Sequence, residues 1–484
     1  MLIFPPRSRA FHPKNLMRSV HIAGRAFEVS GITVDSRAVK PGDIFVALRG
    51  EHVDSHTFVN DALGRGAAVV IVEDEHHTDP RVVRVSNTRQ TLATVAAQYF
   101  GEAHRSLQLV AVTGTNGKTT TTQMIASIFE AAGKPCGIIG TTGARFGDHH
   151  WDLLHTTPFP HELHAIFSEM QSAGALAVAM EVSSHALALE RVFGLRFACA
   201  AFTNLTRDHL DFHKTMDAYA AAKRSLFDQA DSAVLSIDDA YGMRWAQELR
   251  SRIPVLTYGL EREADFVPRN LELQECGASF VLNGEQMAVA LPGRFNVANA
   301  LAAIGAAVSC GIDITTSSRG IAAVRAVDGR MEYIPGGDLR IIVDYAHTPD
   351  ALDSALRALR ETTRGKLTVV FGCGGDRDRG KRSQMGAIAA RVADATYLTS
   401  DNPRSEDPMR ILADIEHGVG SATHTVIPDR ALAITGAIID AGPGDTILIA
   451  GKGHERYQIL ADGKIDFDDR LVAREALRAR TTRV

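Results

Sequence analysis

Leu109-Val110-Ala111-Val112-Thr113-Gly114-Thr115-Asn116-Gly117-Lys118-Thr119-Thr120 is the stretch that decides the fold of this chain. Its apolar opening reads as a buried strand, and a short glycine loop carries the chain to Gly117-Lys118-Thr119. Beyond the loop, Met124, Ile125, Ile128 and Phe129 recur at helical spacing. Strand, glycine loop and helix N-terminus in that order make a phosphate cradle. Backbone N–H groups and the helix dipole face the anion, Lys118 neutralises charge, and the Thr119 hydroxyl can reach Mg²⁺. Gly114, Thr115, Asn116, Gly117, Lys118, Thr119 and Thr120 are therefore the nucleotide-binding candidates. Val112 stands where G-x-x-x-x-G-K-T wants its first glycine, so the loop is shorter than the standard pattern. A nucleoside triphosphate is implied; what is done with it must come from elsewhere.

Outward from this stretch, apolar runs alternate with amphipathic helical segments, the pattern of a doubly wound parallel sheet. At 484 residues the chain is too long for one core, and ordinary domain sizes give about three domains. Residues 1–15 read as a loose tail. The expected domains are 16–105, 106–330 and 331–484, with the boundaries at Gly101–Ser106 and near Gly329-Arg330-Met331-Glu332. The first holds short strands and a helix Thr91–Phe100, forming a small α/β domain. In the second, Ala175–Val182 and Phe197–Phe202 are further strands, a β-rich patch covers roughly 254–292, and Ala298–Cys310 is helical. The third is a Rossmann-like α/β domain with strands Ile341–Val343, Leu367–Phe371, Ala395–Leu398 and Thr446–Ala450. Ligands of such sheets gather at the carboxyl ends of the strands.

Hydrophobic residues make up 45% and charged residues 23%, the balance of a soluble globular enzyme. A formal charge of −5 argues against a nucleic-acid partner held by its phosphates. The five cysteines (Cys136, Cys199, Cys276, Cys310 and Cys373) are far apart and form no C-x-x-C. That spacing suits a reducing cytoplasm and gives no zinc or disulfide framework. Met1–Phe4 is too short for a signal peptide or a membrane span, so no membrane insertion is expected.

Several clusters carry possible chemistry. Glu181 closes a strand in Met180–His185, where it can hold a metal on a triphosphate or cap the next helix. Ser183 and Ser184 divide in the same way between capping and ligand contact. His209, in Phe202–His213, is a metal-ligand candidate or a hydrogen-bonded structural histidine. Lys223 shares a helical face with Tyr219 and Phe227, from which a lysine ordinarily reaches out to solvent. His76-His77 and His149-His150 offer no recognisable ligand spacing and are set aside.

The order and spacing of Gly114–Thr120, Glu181-Val-Ser-Ser-His185, Thr203-Asn-Leu-Thr-Arg-Asp-His209 and Lys223 resemble the Mur ligase family, ATP-dependent amide-forming enzymes of peptidoglycan synthesis. The likeness runs from Asp35-Ser36-Arg37 and Pro41-Gly42-Asp43 to Gly451-Lys-Gly-His-Glu455. It implies three domains that bind a UDP-sugar, ATP and an amino acid respectively. It also implies a carbamate formed from CO₂ on Lys223, which can ligate metal where an ammonium would be repelled. Thr119 and Glu181 would hold one Mg²⁺, and His209 and carbamylated Lys223 would help hold a second; Lys118, Glu181, His209 and Lys223 are the catalytic set. Ser36 matches a UDP-sugar contact, and Thr156, Thr157, Ser183 and Arg191 match residues that hold the muramoyl dipeptide. Asn296, Arg330, Asp344 and His347 match residues around the nucleotide. Two positions depart from the family pattern. Leu189 replaces a polar dipeptide contact of some relatives, and Ser55 replaces a common glycine.

Thr399–Glu406 contains Asp401-Asn402-Pro403-Arg404, which by itself reads as a turn. In the family this signature marks enzymes that add meso-diaminopimelate, and lysine-adding relatives lack the arginine. The chemistry agrees, because diaminopimelate is lysine with a second carboxylate and a guanidinium grips a carboxylate with two parallel hydrogen bonds. Arg377, Gly451 and Glu455 resemble the remaining amino-acid contacts. The resemblance implies a cytoplasmic monomer acting on small molecules, a UDP-muramoyl dipeptide and diaminopimelate. The rivals are a lysine-adding sibling, a folylpolyglutamate-type ligase and a nucleotide switch that hydrolyses ATP slowly.

Overall fold

The structure is a computed structural model that describes residues 17–50, 53–73 and 77–481. The expected tail 1–15 and His76 lie outside the described residues. The first unit carries a four-stranded parallel sheet, Gly31–Thr33, Asp43–Val46, Val69–Val72 and Val82–Arg84, in that spatial order. The helix expected over Thr91–Phe100 begins earlier and spans Thr88–Tyr99. Asn87 explains the difference, since its side chain accepts from the N–H groups of Arg89 and Gln90 and caps the helix.

The central sheet has eight strands. Across it run His149–Trp151, Gly143–Phe146, Cys136–Gly140, Ala177–Glu181, Gln108–Thr113, Cys199–Phe202, Ala233–Ser236 and Val255–Tyr258. The last six are parallel, and the first two add antiparallel at one edge. Gln108–Thr113 lies where the chain, having added strands on one side, crosses to the other. That is the switch point at which an open α/β sheet presents a crevice. Helices cover both faces: Lys118–Ala131, Arg294–Ser309 and Ile314–Ala323 on one, Pro160–Ser172 and Ala240–Leu249 on the other. Val110, Val112, Met124, Ile125, Ile128 and Phe129 are almost wholly buried in the first layer, and each such side chain contributes about 1.5–3 kcal/mol on burial.

The β-rich patch 254–292 divides. Val255–Tyr258 joins the central sheet, while Arg269–Gln274, Gly277–Leu282 and Glu285–Val289 pair separately as an antiparallel sheet. Alternation along Arg269–Gln274 exposes one face and half-covers the other, whereas Val255–Tyr258 continues a parallel ladder covered by helices.

The third unit has a six-stranded sheet, ordered Glu332–Gly336, Leu339–Asp344, Thr446–Ala450, Leu367–Phe371, Ala395–Leu398 and His424–Val426. The first strand is antiparallel to its neighbour and the rest are parallel. Its two apolar layers are separate clusters, one against Pro349–Arg360, Gly380–Val392 and Pro408–Val419, the other against Arg430–Asp440 and Asp469–Thr481. No helix among the described residues is long and apolar enough to cross a membrane. Cys136, Cys199, Cys310 and Cys373 are buried free thiols, and Cys276 is an exposed one.

Candidate active site

The glycine loop follows the central strand Gln108–Thr113 and opens the helix Lys118–Ala131. Its glycines are required by contact as well as conformation. Gly117 has φ +86°, and a Cβ there would lie 2.3 Å from Asn299 Oδ1; a Cβ on Gly114 would lie 1.8 Å from Thr203 Oγ1. The loop is tied to Thr203–Thr206: Asn116 N donates to Asn204 Oδ1 at 2.9 Å, Thr115 N to Asn204 O at 2.8 Å, and Thr203 Oγ1 to Asn116 O at 2.6 Å. Thr115 Oγ1 also lies 3.1 Å from the Tyr219 hydroxyl.

Two lysines converge on one carbonyl oxygen. Lys118 Nζ donates to Gly114 O at 2.9 Å and to Thr115 O at 2.8 Å, and Lys223 Nζ donates to Gly114 O at 2.8 Å. Lys223 does not reach out to solvent as composition alone would have it; it is 1% exposed, with Nζ 4.7 Å from the Tyr219 ring centroid. Burial, reinforced by Lys118, drives the Lys223 ammonium well below its ordinary range. Burial also lowers Lys118, against the opposing pull of Glu181. Two lysine side chains that share a carbonyl, with no carboxylate in ion-pair contact among the described residues, suit an anionic ligand, so the loop fits a triphosphate.

Glu181 ends its strand 1% exposed and accepts from Thr141 N at 2.8 Å and Thr141 Oγ1 at 2.9 Å. It does not cap the following helix Ser184–Ala188; Ser183 does, accepting from Ala186 N. His209 sits at φ +53° at the start of Leu210–His213, with Nε2 3.3 Å from Asp208 Oδ2. Desolvation, against the opposing pull of Asp208, keeps its imidazole neutral and able to donate an electron pair. Among the described residues no three histidine, cysteine, aspartate or glutamate side chains sit close enough to hold a metal ion. Glu181 and His209 could each give one ligand to Mg²⁺, the remainder coming from hydroxyl, phosphate or carbamate oxygens, the hard donors that Mg²⁺ takes. Thr119 Oγ1 accepts from Arg330 Nη2 at 3.0 Å in this arrangement.

Beside Glu181 the dipeptide candidates do come together. Thr157 Oγ1 donates to Glu181 O at 3.0 Å and accepts from Ser183 N at 3.1 Å, and Arg191 Nη1 donates to Thr157 O at 2.9 Å. Thr156 Oγ1 lies 3.2 Å from Thr141 Oγ1. Arg191 stacks on Phe159, and its buried Nε has no hydrogen-bond partner among the described residues, a donor suited to an anionic ligand. Burial draws its guanidinium down to about 10. Leu189 follows this helix, and Glu190 after it, at φ +54°, accepts from Asn87 and Gln90 of the first unit. Ser36 stands in that unit, in the short helix Ser36–Ala38, and Ser55 opens another, capped by Asp54.

Residues from the third unit reach the loop. Asp350, in the first turn of Pro349–Arg360, accepts from Asn116 Nδ2 at 2.9 Å and from Thr206 Oγ1 at 3.4 Å. Arg330 lies over the Tyr345 ring, and Asp344 accepts from Met331 N and Ala346 N. Burial raises the Asp344 carboxyl and lowers the His347 imidazole, whose Nδ1 lies 2.8 Å from Tyr345 O. Asn296 stays with the second unit and reaches the loop indirectly: its Oδ1 accepts from Asn299 Nδ2, and Asn299 Oδ1 lies against Gly117. Asn299 and Asp350 were not among the sequence candidates. The signal for Asn299 was a polar residue three positions after Asn296 in an alanine-rich helix; Asp350 is acidic in a first turn, an ordinary helix-start feature.

At the carboxyl ends of Leu367–Phe371, Ala395–Leu398 and Thr446–Ala450, the amino-acid candidates assemble. Arg404, at φ +55°, donates through Nη1 to Gly375 O at 2.8 Å, and its N–H bonds Ile459 O. Gly375 N donates to Asn402 O, and a Cβ on Gly375 would meet Pro403 O at 1.9 Å. Gly451 has φ +115°, with Asp401 Oδ2 2.5 Å from where a Cβ would sit. Asn402 Nδ2 donates to Glu455 Oε2 at 3.0 Å, and Arg377 Nη1 donates to Asp376 O. Burial, and next the Arg377 guanidinium, lower Arg404. Among the described residues, no carboxylate forms an ion pair with Arg404.

Three family descriptions tile the chain: "Mur ligase family, catalytic domain" over residues 28–101, "Mur ligase middle domain" over 112–307, and "Mur ligase, glutamate ligase domain" over 329–453. Curated relatives named UDP-N-acetylmuramoyl-L-alanyl-D-glutamate–2,6-diaminopimelate ligase include those of Syntrophomonas wolfei and Gloeobacter violaceus. The first is 44% identical over 470 residues and the second 45% over 469, each alignment covering 94% of this chain and 95% of the relative. A solved structure of a ligase of that name is 36% identical, with a TM-score of 0.69, covering 96% of this chain and all of the other. A MurF ligase from Thermotoga maritima in complex with ADP shares the fold at 18% identity and a TM-score of 0.63. Loop, sheet order and comparisons together define an ATP-dependent, ADP-forming ligase built from α/β units around a central parallel sheet. The chain belongs to the Mur ligase family.

Proposed function

We propose that this chain joins an amine of meso-2,6-diaminopimelate to the D-glutamyl γ-carboxylate of UDP-N-acetylmuramoyl-L-alanyl-D-glutamate, with ATP going to ADP and phosphate, in peptidoglycan precursor synthesis. The observation that carries the choice of acceptor is Arg404, a guanidinium with backbone carbonyl partners at the strand ends, beside Asp401, Asn402 and Glu455. A second carboxylate is what distinguishes diaminopimelate from lysine, and Arg404 is suited to receive it.

In this reading the first unit, 16–105 with Ser36, takes the UDP-sugar, 106–330 takes ATP, and 331–484 takes the amino acid. Thr156, Thr157, Ser183 and Arg191 hold the dipeptide so that its γ-carboxylate attacks the γ-phosphorus of ATP, giving an acyl phosphate and ADP. Gly114–Thr120, with Asn296, Arg330, Asp344 and His347 around the nucleotide, orient the triphosphate, and Lys118 balances its charge. Thr119 and Glu181 would hold one Mg²⁺, and His209 and Lys223 would help hold a second, which would supply charge neutralisation. Lys223 serves as a carbamate: its neutral Nζ forms a C–N bond to CO₂ and loses a proton, turning a cation into an anionic oxygen donor. The acceptor amine, oriented by Asp401, Asn402, Pro403, Arg404, Arg377, Gly451 and Glu455, then attacks the acyl carbon, and phosphate leaves. Asp350 on Asn116 brings the third unit against the loop for that step. The reaction is assigned to the cytoplasm and to a monomer.

ADP release with the UDP-dipeptide and each amine tests the reading. Diaminopimelate should be required and preferred over lysine by up to about 10⁴ in kcat/KM. Equal use of lysine, or ATP turnover without an acceptor, would overturn it.

A further inference from the structure

The loop Gly451-Lys452-Gly453-His454-Glu455 supplies two acceptor candidates, and between them a lysine that the functional reading leaves unused. Lys452 is fully buried. Its Nζ donates to Glu455 Oε2 at 2.8 Å and to Asn402 Oδ1 at 3.1 Å, and lies 5.5 Å from the Tyr457 ring centroid. Asn402 is held on both sides of its amide, because Oδ1 also accepts from Ile459 N at 2.9 Å while Nδ2 donates to Glu455 Oε2 at 3.0 Å.

These contacts fix directions as well as distances. An ammonium only donates, so Lys452 and Ile459 N together demand the oxygen of Asn402 and turn its NH₂ toward Glu455. One oxygen of Glu455 receives both Lys452 and Asn402, which leaves Oε1 without a hydrogen bond among the described residues. The Gly329 backbone packs directly on this loop, since a Cβ there would lie 2.0 Å from His454 N. Charge points the same way. Lys452, Arg404 and Arg377 stand with Asp401 and Glu455, so the lining offers both signs of charge, as a ligand with ammonium and carboxylate groups requires.

We propose that Lys452 is a positioning residue for the amino-acid acceptor: it aims Glu455 Oε1 at an acceptor ammonium and leaves the second Asn402 N–H for an acceptor carboxylate. The proposal rests on the acceptor reading given above. Without the ammonium, the Asn402 oxygen keeps only Ile459 N, and among the described residues the Glu455 carboxylate has no cation left within ion-pair distance.

Steady-state ADP release in the full chain tests it, with the KM of each substrate measured at saturating levels of the others. Lys452→Met should raise the KM for diaminopimelate about 10- to 100-fold, with the KM for ATP and for the UDP-dipeptide unchanged. Lys452→Arg keeps the charge but replaces a point donor by a planar fork, and should give a smaller rise of the same kind. A purely structural role would lower the melting temperature and spare that KM, or would raise all three KM values together; either result overturns the proposal. If Lys452→Met does not fold, Lys452→Arg decides by the same criterion. Failure of the functional reading looks different, since wild-type protein would then show no diaminopimelate-dependent ADP release. Lys452 would in that event be scored on the KM of whichever amine the wild type uses.

Discussion

Lys223 and Lys452 are both shut away from solvent, and their surroundings differ in one respect that separates their chemistry. Lys452 has a carboxylate at 2.8 Å and an amide oxygen at 3.1 Å. Lys223 has the Gly114 carbonyl, an aromatic face and a second lysine on the same oxygen. A buried ammonium that is paired stays an ammonium and acts as a fixed donor. One that is unpaired and crowded by another cation is driven toward the neutral amine, a nucleophile. The lysine of the donor half thus lacks a negative partner, which a ligand or modification supplies, while the lysine of the acceptor half is paired before any ligand arrives.

The most severe way to break this contrast is on the donor side. Lys223→Ala should lower kcat for ADP release by about 10²- to 10³-fold, the scale of losing one preorganised charge-stabilising group. If Lys223 works as a carbamate, added formate or acetate should recover part of that loss, and the same salts should do nothing for Lys452→Met. No recovery at any carboxylate concentration would count against the carbamate and leave Lys223 as a buried amine.

Arg404→Ala comes next. Truncating one partner of a buried charge pair costs about 2–5 kcal/mol, so kcat/KM for diaminopimelate should fall by at least an order of magnitude while the KM for ATP holds. Parallel losses in both would mean that Arg404 braces the fold and does not read the acceptor.

Much of the donor half was legible because its evidence is local. Strand, glycine loop and helix occupy one continuous stretch; on the acceptor side Leu367–Phe371, Ala395–Leu398 and Thr446–Ala450, mostly apolar, were likewise read to the residue. Cys136–Gly140 and Ala233–Ser236 escaped notice because they are short and interrupted by glycine or bounded by serine. Asn87 was overlooked as a cap, and the helix start moved with it. Lys223 shows the limit more sharply. Its helical face was visible, but whether that face meets solvent or the Gly114 carbonyl depends on a contact between residues 109 positions apart. Asp350 meets Asn116 across 234 positions, and Lys452 meets Asn402 across 50, so neither role is written in any local pattern.

The paired charges of the acceptor side carry a pH signature of their own. Glu406 closes the Asp401–Arg404 turn: its carboxylate takes Arg382 Nη2 at 2.9 Å, Arg382 Nη1 at 3.2 Å and Asp376 N at 2.6 Å. The Arg382 hydrogen bonds hold its carboxyl down to about 2, from an ordinary value of 4.5. A depressed carboxyl stabilises the fold fully above its unfolded value, and the contribution fades as pH falls toward the folded one. Glu406→Gln should therefore lower the melting temperature near neutrality by a small amount, on the order of 2–4 °C. The gap between wild type and variant should narrow steadily below pH 4.5. Melting curves of the two proteins at several pH values would decide the point. A gap that stays constant with pH would mean that Glu406 braces the turn by shape alone, and that the acceptor side owes its order to packing and not to paired charge.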